Sequence, residues 1–104
     1  MSANNRALKY ALGWLIAGTR GGMTRAKIIS ALREVPQNTN QLATLLEMDY
    51  RAIKHHLDIL QKNKLVIVAG EGYGTTYFLS TVLEENYPLF EEILSKIGKN
   101  QKRK

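Results

Sequence analysis

The sequence predicts an α+β, mainly α domain in which four helices lead into a two-stranded β-hairpin and a fifth helix closes the chain. Three observations predict it. Between residues 4 and 62 apolar side chains recur at helical spacing. Residues 65–79 change to two β-branched and aromatic runs around a glycine-rich loop. Helical spacing then returns after residue 81. A chain of 104 residues makes one domain, large enough to bury about two-thirds of the surface its unfolded state exposes. The domain is expected over residues 1–98, with a short basic tail at 99–104.

The first helix covers about residues 4–17 and ends at Gly18 and Gly21-Gly22. It is apolar around most of its circumference, and such a helix must be covered on more than one side. In so small a protein that points to a second subunit. It is too short to span a membrane, which takes about 20 residues, and Lys9 interrupts it. No small-residue cleavage site follows, so it is not a signal peptide. A second helix is expected from an N-cap at Thr24, with Ile28, Ile29, Leu32 and Val35 at helical spacing until Pro36 stops it. The polar link Gln37-Asn38-Thr39-Asn40 caps a brief third helix, Gln41 to Leu46. After Glu47-Met48-Asp49, Asp49 is well suited to cap a fourth helix running from Tyr50 to Lys62.

The hairpin follows at 65–79. Thr81-Val82-Leu83-Glu84 reads as a capping box for the last helix, about residues 81–97. There Leu83, Tyr87, Phe90, Leu94 and Ile97 alternate in steps of four and three, the spacing of a helix–helix seam. Pro88 inside that pattern predicts a break between Asn86 and Pro88.

Composition narrows the function. The chain is 44% apolar and 23% charged, ordinary for a globular protein. It has no cysteine, which excludes disulfides, cysteine-based zinc sites and thiol catalysis and fits an intracellular protein. Fifteen Lys+Arg against nine Asp+Glu leave a net charge of +6. No acid precedes Glu34, whereas Arg6, Lys9, Arg20, Arg25, Lys27 and Arg33 do, and the last six residues add four positive charges. Such a balance favours polyanionic partners. No glycine-rich phosphate loop follows a strand and no nucleophile–base–acid set stands out, so no catalytic residue is assigned and an enzyme is not expected.

A short helix joined by three residues to a longer one is the helix-turn-helix arrangement, and the hairpin that follows at once is its wing. Helix-turn-helix residues are expected at about 40–62 and the wing at about 65–79. Gln41-Leu42-Ala43 through His56-Leu57-Asp58-Ile59-Leu60, then Asn63-Lys64-Leu65-Val66, resembles the ArsR-type winged helix-turn-helix regulators. The chain is most similar to archaeal versions with a comparable Gly18-Thr19-Arg20-Gly21-Gly22-Met23-Thr24-Arg25 entry. The resemblance covers about residues 18–80. Glu47 and Lys64 stand where the family often has glycine, so positive φ is expected at both non-glycine residues. Family members that sense metals use cysteine or histidine clusters. This chain has two histidines, His55 and His56.

On a helical wheel Ile53, Leu57 and Leu60 share one side of the fourth helix, with His56 at its edge. Arg51, Lys54, His55, Asp58 and Lys62 lie on the other. Adjacent helical residues do not face each other, so the two histidines are poorly placed to chelate one metal, and no third histidine or thiol completes a site. No metal or cofactor is expected. His56 is read as a partly buried structural residue, His55 as a surface residue near the ligand.

Arg51 and Lys54 head the candidates for DNA contact, since arginine can pair bidentately with guanine and lysine can reach a base edge or a phosphate. Tyr50, Thr39, Asn40 and Gln41 are placed to meet phosphates at helix N-termini. Arg25 and Lys62, together with Tyr73, Thr75 and Thr76 of the wing, complete the set. The resemblance implies that Tyr50, Arg51, Lys54 and His55 face the groove. The expected function is sequence-specific binding of double-stranded DNA by a homodimeric transcriptional regulator, cytoplasmic and nucleoid-associated when bound. Leu8, Leu12, Trp14 and Leu15 are expected to join the Leu83–Ile97 seam in the dimer interface. Two alternatives stay open: a winged-helix module for protein–protein contact, favoured by the acidic wing loop, and an architectural protein that binds DNA without sequence preference.

Overall fold

The computed structural model describes the backbone of residues 2–103 and the side chains of residues 6–97 other than Tyr73. The expected elements are present in the expected order. Helix α1 (Ser2–Leu12) continues into a π-helical turn, Gly13–Ala17. Then come α2 (Gly22–Glu34), α3 (Thr39–Leu46), α4 (Tyr50–Lys62), the strands β1 (Val66–Ala69) and β2 (Thr76–Leu79), α5 (Thr81–Glu85) and α6 (Tyr87–Arg103).

The π turn carries Leu15 and Ile16 into the core and brings the Ile16 carbonyl against Gly22. A Cβ at position 22 would sit 1.7 Å from that oxygen, so only glycine lets α2 start there. This explains why α2 begins two residues before the expected Thr24 cap. Gly21 occupies the N-cap and makes no side-chain cap bond. The cap of α3 also differs: Asn38, not Thr39 or Asn40, is the N-cap. Its Oδ1 accepts from the Gln41 amide at 2.8 Å while Gln41 Oε1 accepts from the Asn38 amide at 2.8 Å, closing a reciprocal box. At α5 the cap is Ser80, whose hydroxyl accepts from the Leu83 amide at 3.3 Å, one residue before the expected Thr81.

The two positive-φ non-glycine residues are where the family resemblance placed them. Glu47 (φ 56°) ends α3 and Lys64 (φ 62°) ends the turn after α4. Each accepts left-handed strain because the chain must reverse within a few residues. Asp49 caps α4, accepting from the Arg51 amide at 2.9 Å. Pro88 falls in the first turn of α6, where a missing N–H costs nothing, and Asn86 separates α5 from α6.

The strands pair antiparallel with Val66 opposite Leu79 and Ala69 opposite Thr76. Val66, Tyr77 and Leu79 are buried, whereas Ile67 and Val68 are exposed as the hairpin leaves the body. Gln37 adds an isolated bridge to Tyr77, exchanging backbone hydrogen bonds of 3.3 and 2.9 Å. The link between α2 and α3 is thereby tied to the wing, a contact with no sequence signal. One core joins every helix. Leu12, Ile28, Ile29, Leu42, Ile53, Leu57, Leu60, Leu83 and Phe90 are fully buried in it. No described helix is long and apolar enough to cross a membrane.

Candidate nucleic-acid interface

Helix α4 is amphipathic in the way its wheel requires. Ile53, Leu57 and Leu60 are fully buried, and Arg51, His55, Asp58 and Lys62 are exposed along the opposite face. Helix α3 packs across it and holds it at the surface. Lys54 is half-buried and donates to Asp58 Oδ1 at 2.8 Å, one helical turn on. That bond, with the carboxylate's charge, holds the ammonium pKa above its usual value. The cationic face therefore carries its own counter-ion.

Three elements meet beside the start of this helix. Asn38, Thr39 and Asn40 from the start of α3, Tyr50 from the start of α4, and Gly72 and Thr75 from the wing loop line a cleft of about 90 Å³. Both helix N-termini carry the positive ends of their dipoles. Asn40 and Tyr50 are exposed, Thr75 is half-exposed and Thr39 is buried, so Thr39 lines the wall without projecting. Gln41 is exposed, but its side-chain oxygen is held in the cap of α3. Thr76, half-exposed, donates to the Gly74 carbonyl at 3.4 Å. The Tyr73 side chain lies outside the described residues, as do the side chains of the basic tail. The cleft also contains Asn38, which the sequence reading treated only as part of a link. The spacing Asn38-x-x-Gln41 is a capping-box signal that could have found it.

Arg25 was expected at a phosphate and is found elsewhere. It is only 4% exposed and donates inward. Its Nε reaches the Leu15 carbonyl at 2.9 Å, Nη2 bonds the Thr19 hydroxyl, and Nη1 lies 3.0 Å from His56 Nδ1. Burial lowers the guanidinium pKa. The residue is committed to the fold because three acceptors enclose it. His56 is the partly buried structural residue that was expected, and the partner of its Nδ1 is Arg25.

The expected dimer residues divide into two groups. Leu8, Leu12, Leu15, Leu83 and Phe90 are each 5% exposed or less and are consumed by the protomer's own core, which a domain of this size needs before it can offer apolar surface to a partner. Trp14 remains 61% exposed, beside Tyr10 at 81%. Tyr87, Leu94 and Ile97 are half-buried. Tyr87 packs on Phe90, with ring centroids 5.2 Å apart, and lies under the Arg33 guanidinium at 4.0 Å.

Residues 23–68 match the family model described as "Bacterial regulatory protein, arsR family". That span runs from α2 through the helix-turn-helix into β1. No curated protein matches the chain in sequence. Solved structures match in fold. Reduced HlyU from Vibrio cholerae is 20% identical with a TM-score of 0.60, over 88% of each chain. Mb0332 from Mycobacterium bovis, described as a homodimeric winged helix-turn-helix DNA-binding domain and a possible ArsR-family regulator, is 16% identical with a TM-score of 0.56, over 99% of this chain and 82% of its own. ZitR from Lactococcus lactis is 20% identical with a TM-score of 0.53, over 78% of this chain. The chain spans 60% of ZitR's length.

Proposed function

We propose that this chain, with its match to the arsR-family model over residues 23–68 and its winged helix-turn-helix fold, binds double-stranded DNA in a sequence-specific manner as a homodimer, with α4 in the major groove. The observation that carries the reading is the convergence at the head of α4. Its solvent face presents Arg51, Lys54, His55 and Lys62, while the N-termini of α3 and α4 and the wing loop meet at one cleft. Arg51 would read base edges, and Lys54 would reach a base edge or a phosphate. Asn38, Asn40, Tyr50 and Thr75 would take phosphate oxygens, which sets register without carrying sequence information. Arg25 and Thr39 are withdrawn from the contact set because both are buried.

The dimer is supported by the exposed aromatic pair Tyr10 and Trp14 on one side of the N-terminal helix, and by the half-buried Leu94 and Ile97 of α6. Exposed apolar patches of this kind mark interaction surfaces. Two-fold pairing there would set the recognition helices about 34 Å apart and require an inverted-repeat operator. Sedimentation at micromolar concentration reads this directly, and a monomer would refute it.

The binding test is fluorescence anisotropy on the gene's own upstream duplex and on a randomised duplex pool, across a salt series, for wild type and Arg51→Ala/Lys54→Ala. Tight binding to the upstream DNA with a log–log slope for roughly 6–10 phosphates, lost preference in the variant, and weaker binding to the pool support the reading. Equal affinity for both DNAs would instead indicate architectural binding. The wing loop, with Glu71 and no basic residue between positions 70 and 75, is the feature that favours a protein-docking role. Absence of DNA binding at ~100 mM salt would leave that role standing.

A further inference from the structure

The Gly18-to-Arg25 entry and the second histidine meet in the interior, away from the solvent face of α4. Arg25 joins three segments at one point: the end of the N-terminal helix through the Leu15 carbonyl, the following loop through Thr19, and the recognition helix through His56 Nδ1. Thr19 also donates to the Leu15 carbonyl at 3.1 Å. The packing leaves no slack. A Cβ on Gly21 would stand 2.7 Å from His56 Cε1 and 2.9 Å from Arg25 Nη1, so a side chain there would have to displace the pair.

A guanidinium only donates and stays charged in proteins. The contact therefore requires a lone pair on His56 Nδ1, which makes the ring neutral with its proton on Nε2. A protonated ring would present an N–H to the Arg25 donors at 3.0 Å, and two positive charges would face each other in a partly buried site. The groups around His56 all push the same way. Arg25 on α2 is cationic, His55 is its neighbour on α4 with ring centroids 5.6 Å apart, and Thr19 and Gly21 carry no charge. Among the described residues no carboxylate forms an ion pair with Arg25 or His56.

We propose that Arg25 and His56 are positioning residues that latch the recognition helix to the N-terminal helix, and that protonation of His56 releases the latch and weakens DNA binding. The proposal rests on the regulator reading above and extends it to residues that touch no DNA. Burial first, then Arg25 and His55, lowers the His56 pKa, so the sign is determined. The docked state disfavours the proton relative to a free histidine near 6.5. Docking is then complete above that value, and acidification below it shifts the balance toward the released state.

The test has two arms. His56→Asn places an acceptor near the Nδ1 position and cannot titrate. In the first arm, NMR follows the ring signals of wild type between pH 8 and 5, with the variant identifying which of the two histidines is which. The expected result is a His56 titration below 6.5, with backbone amides at 15–19 and 50–56 moving along the same curve. In the second arm, anisotropy on the upstream duplex compares affinity at pH 7.5 and 5.5. Wild type is expected to lose about fivefold more affinity than the variant, at the low end of ordinary allosteric coupling. Every group other than residue 56 is common to both proteins and cancels in the ratio. A His56 titration at or above 6.5, amide changes confined to positions 55–57, or equal losses in the two proteins would overturn the proposal. Should His56→Asn melt far below wild type, His56→Gln replaces it in both arms. Absence of DNA binding at every pH would refute the regulator reading and the coupling with it, while the first arm still decides whether the latch opens.

Discussion

Asp58→Asn is expected to make the protein bind DNA more tightly while barely changing its stability. Asp58 stands on the same face of α4 as Arg51 and Lys54 and holds the Lys54 ammonium at 2.8 Å. Two unit charges at that distance in bulk water attract by about 1.5 kcal/mol. The side chains are 45% and 56% exposed, so ordering entropy and screening reduce the net value to about 0.3–0.5 kcal/mol, as for other exposed i,i+4 pairs. Folding therefore loses at most about half a kcal/mol. DNA binding is expected to gain twice, since a negative charge leaves the face proposed for the groove and Lys54 becomes free for a phosphate. One added phosphate contact steepens the log–log salt slope by about 0.9, and a gain near 1 kcal/mol tightens binding about fivefold. Anisotropy on the upstream duplex across a salt series reads both quantities, and urea denaturation reads the stability. An unchanged affinity and slope would show that the outer half of α4 stays clear of the DNA. A weaker complex would show that Asp58 is itself a contact, accepting from a base amine. Either result would refute the assignment of a freed Lys54 to the DNA interface.

Other substitutions probe the frame that presents this face. Gly22→Ala drives a methyl to 1.7 Å from the Ile16 carbonyl and must push α2 off the π turn. Its cost is expected at or above the 1–3 kcal/mol of ordinary overpacking, read as a lower urea midpoint, and a wild-type midpoint would refute the close approach. Asn38→Ala removes the acceptor that caps α3 and is expected to cost about 1 kcal/mol. Because Asn38 also lines the cleft, its DNA affinity should fall by more than that of a stability-matched core variant. Leu57→Ala empties a fully buried site on the inner face of α4 and is expected to cost about 2.7–5 kcal/mol, with thermal melting as the check.

Periodicity and local chemistry carried much of this molecule in plain view. The solvent face of α4 follows from the spacing of Ile53, Leu57 and Leu60, and its start follows from Asp49, because capping and amphipathicity are decided within one or two turns. The positive φ at Glu47 and Lys64 was legible only through the resemblance, because ArsR-type regulators often carry glycine, the residue suited to that backbone, at both places. The break before Pro88 needed only the missing N–H. Cap identity was off by three residues at α2 and by one or two at α3 and α5. Several adjacent polar residues could serve there, and only the direction of the incoming chain selects one of them.

Whatever depended on residues distant in sequence was decided by tertiary structure. An arginine among cations at the start of a helix reads as a phosphate contact. Arg25 became interior because the Leu15 carbonyl, Thr19 and His56, at separations of 10, 6 and 31 residues, arrive together only when α4 crosses α2. The apolar seam of the last helix reads as a partner surface. Leu83 and Phe90 turned inward because the small domain had first to complete its own core. The sequence by itself determined which face of α4 is charged. Packing determined which of the remaining charges and apolar residues were left over for partners, because burial belongs to the whole assembly of helices and to no single segment of it.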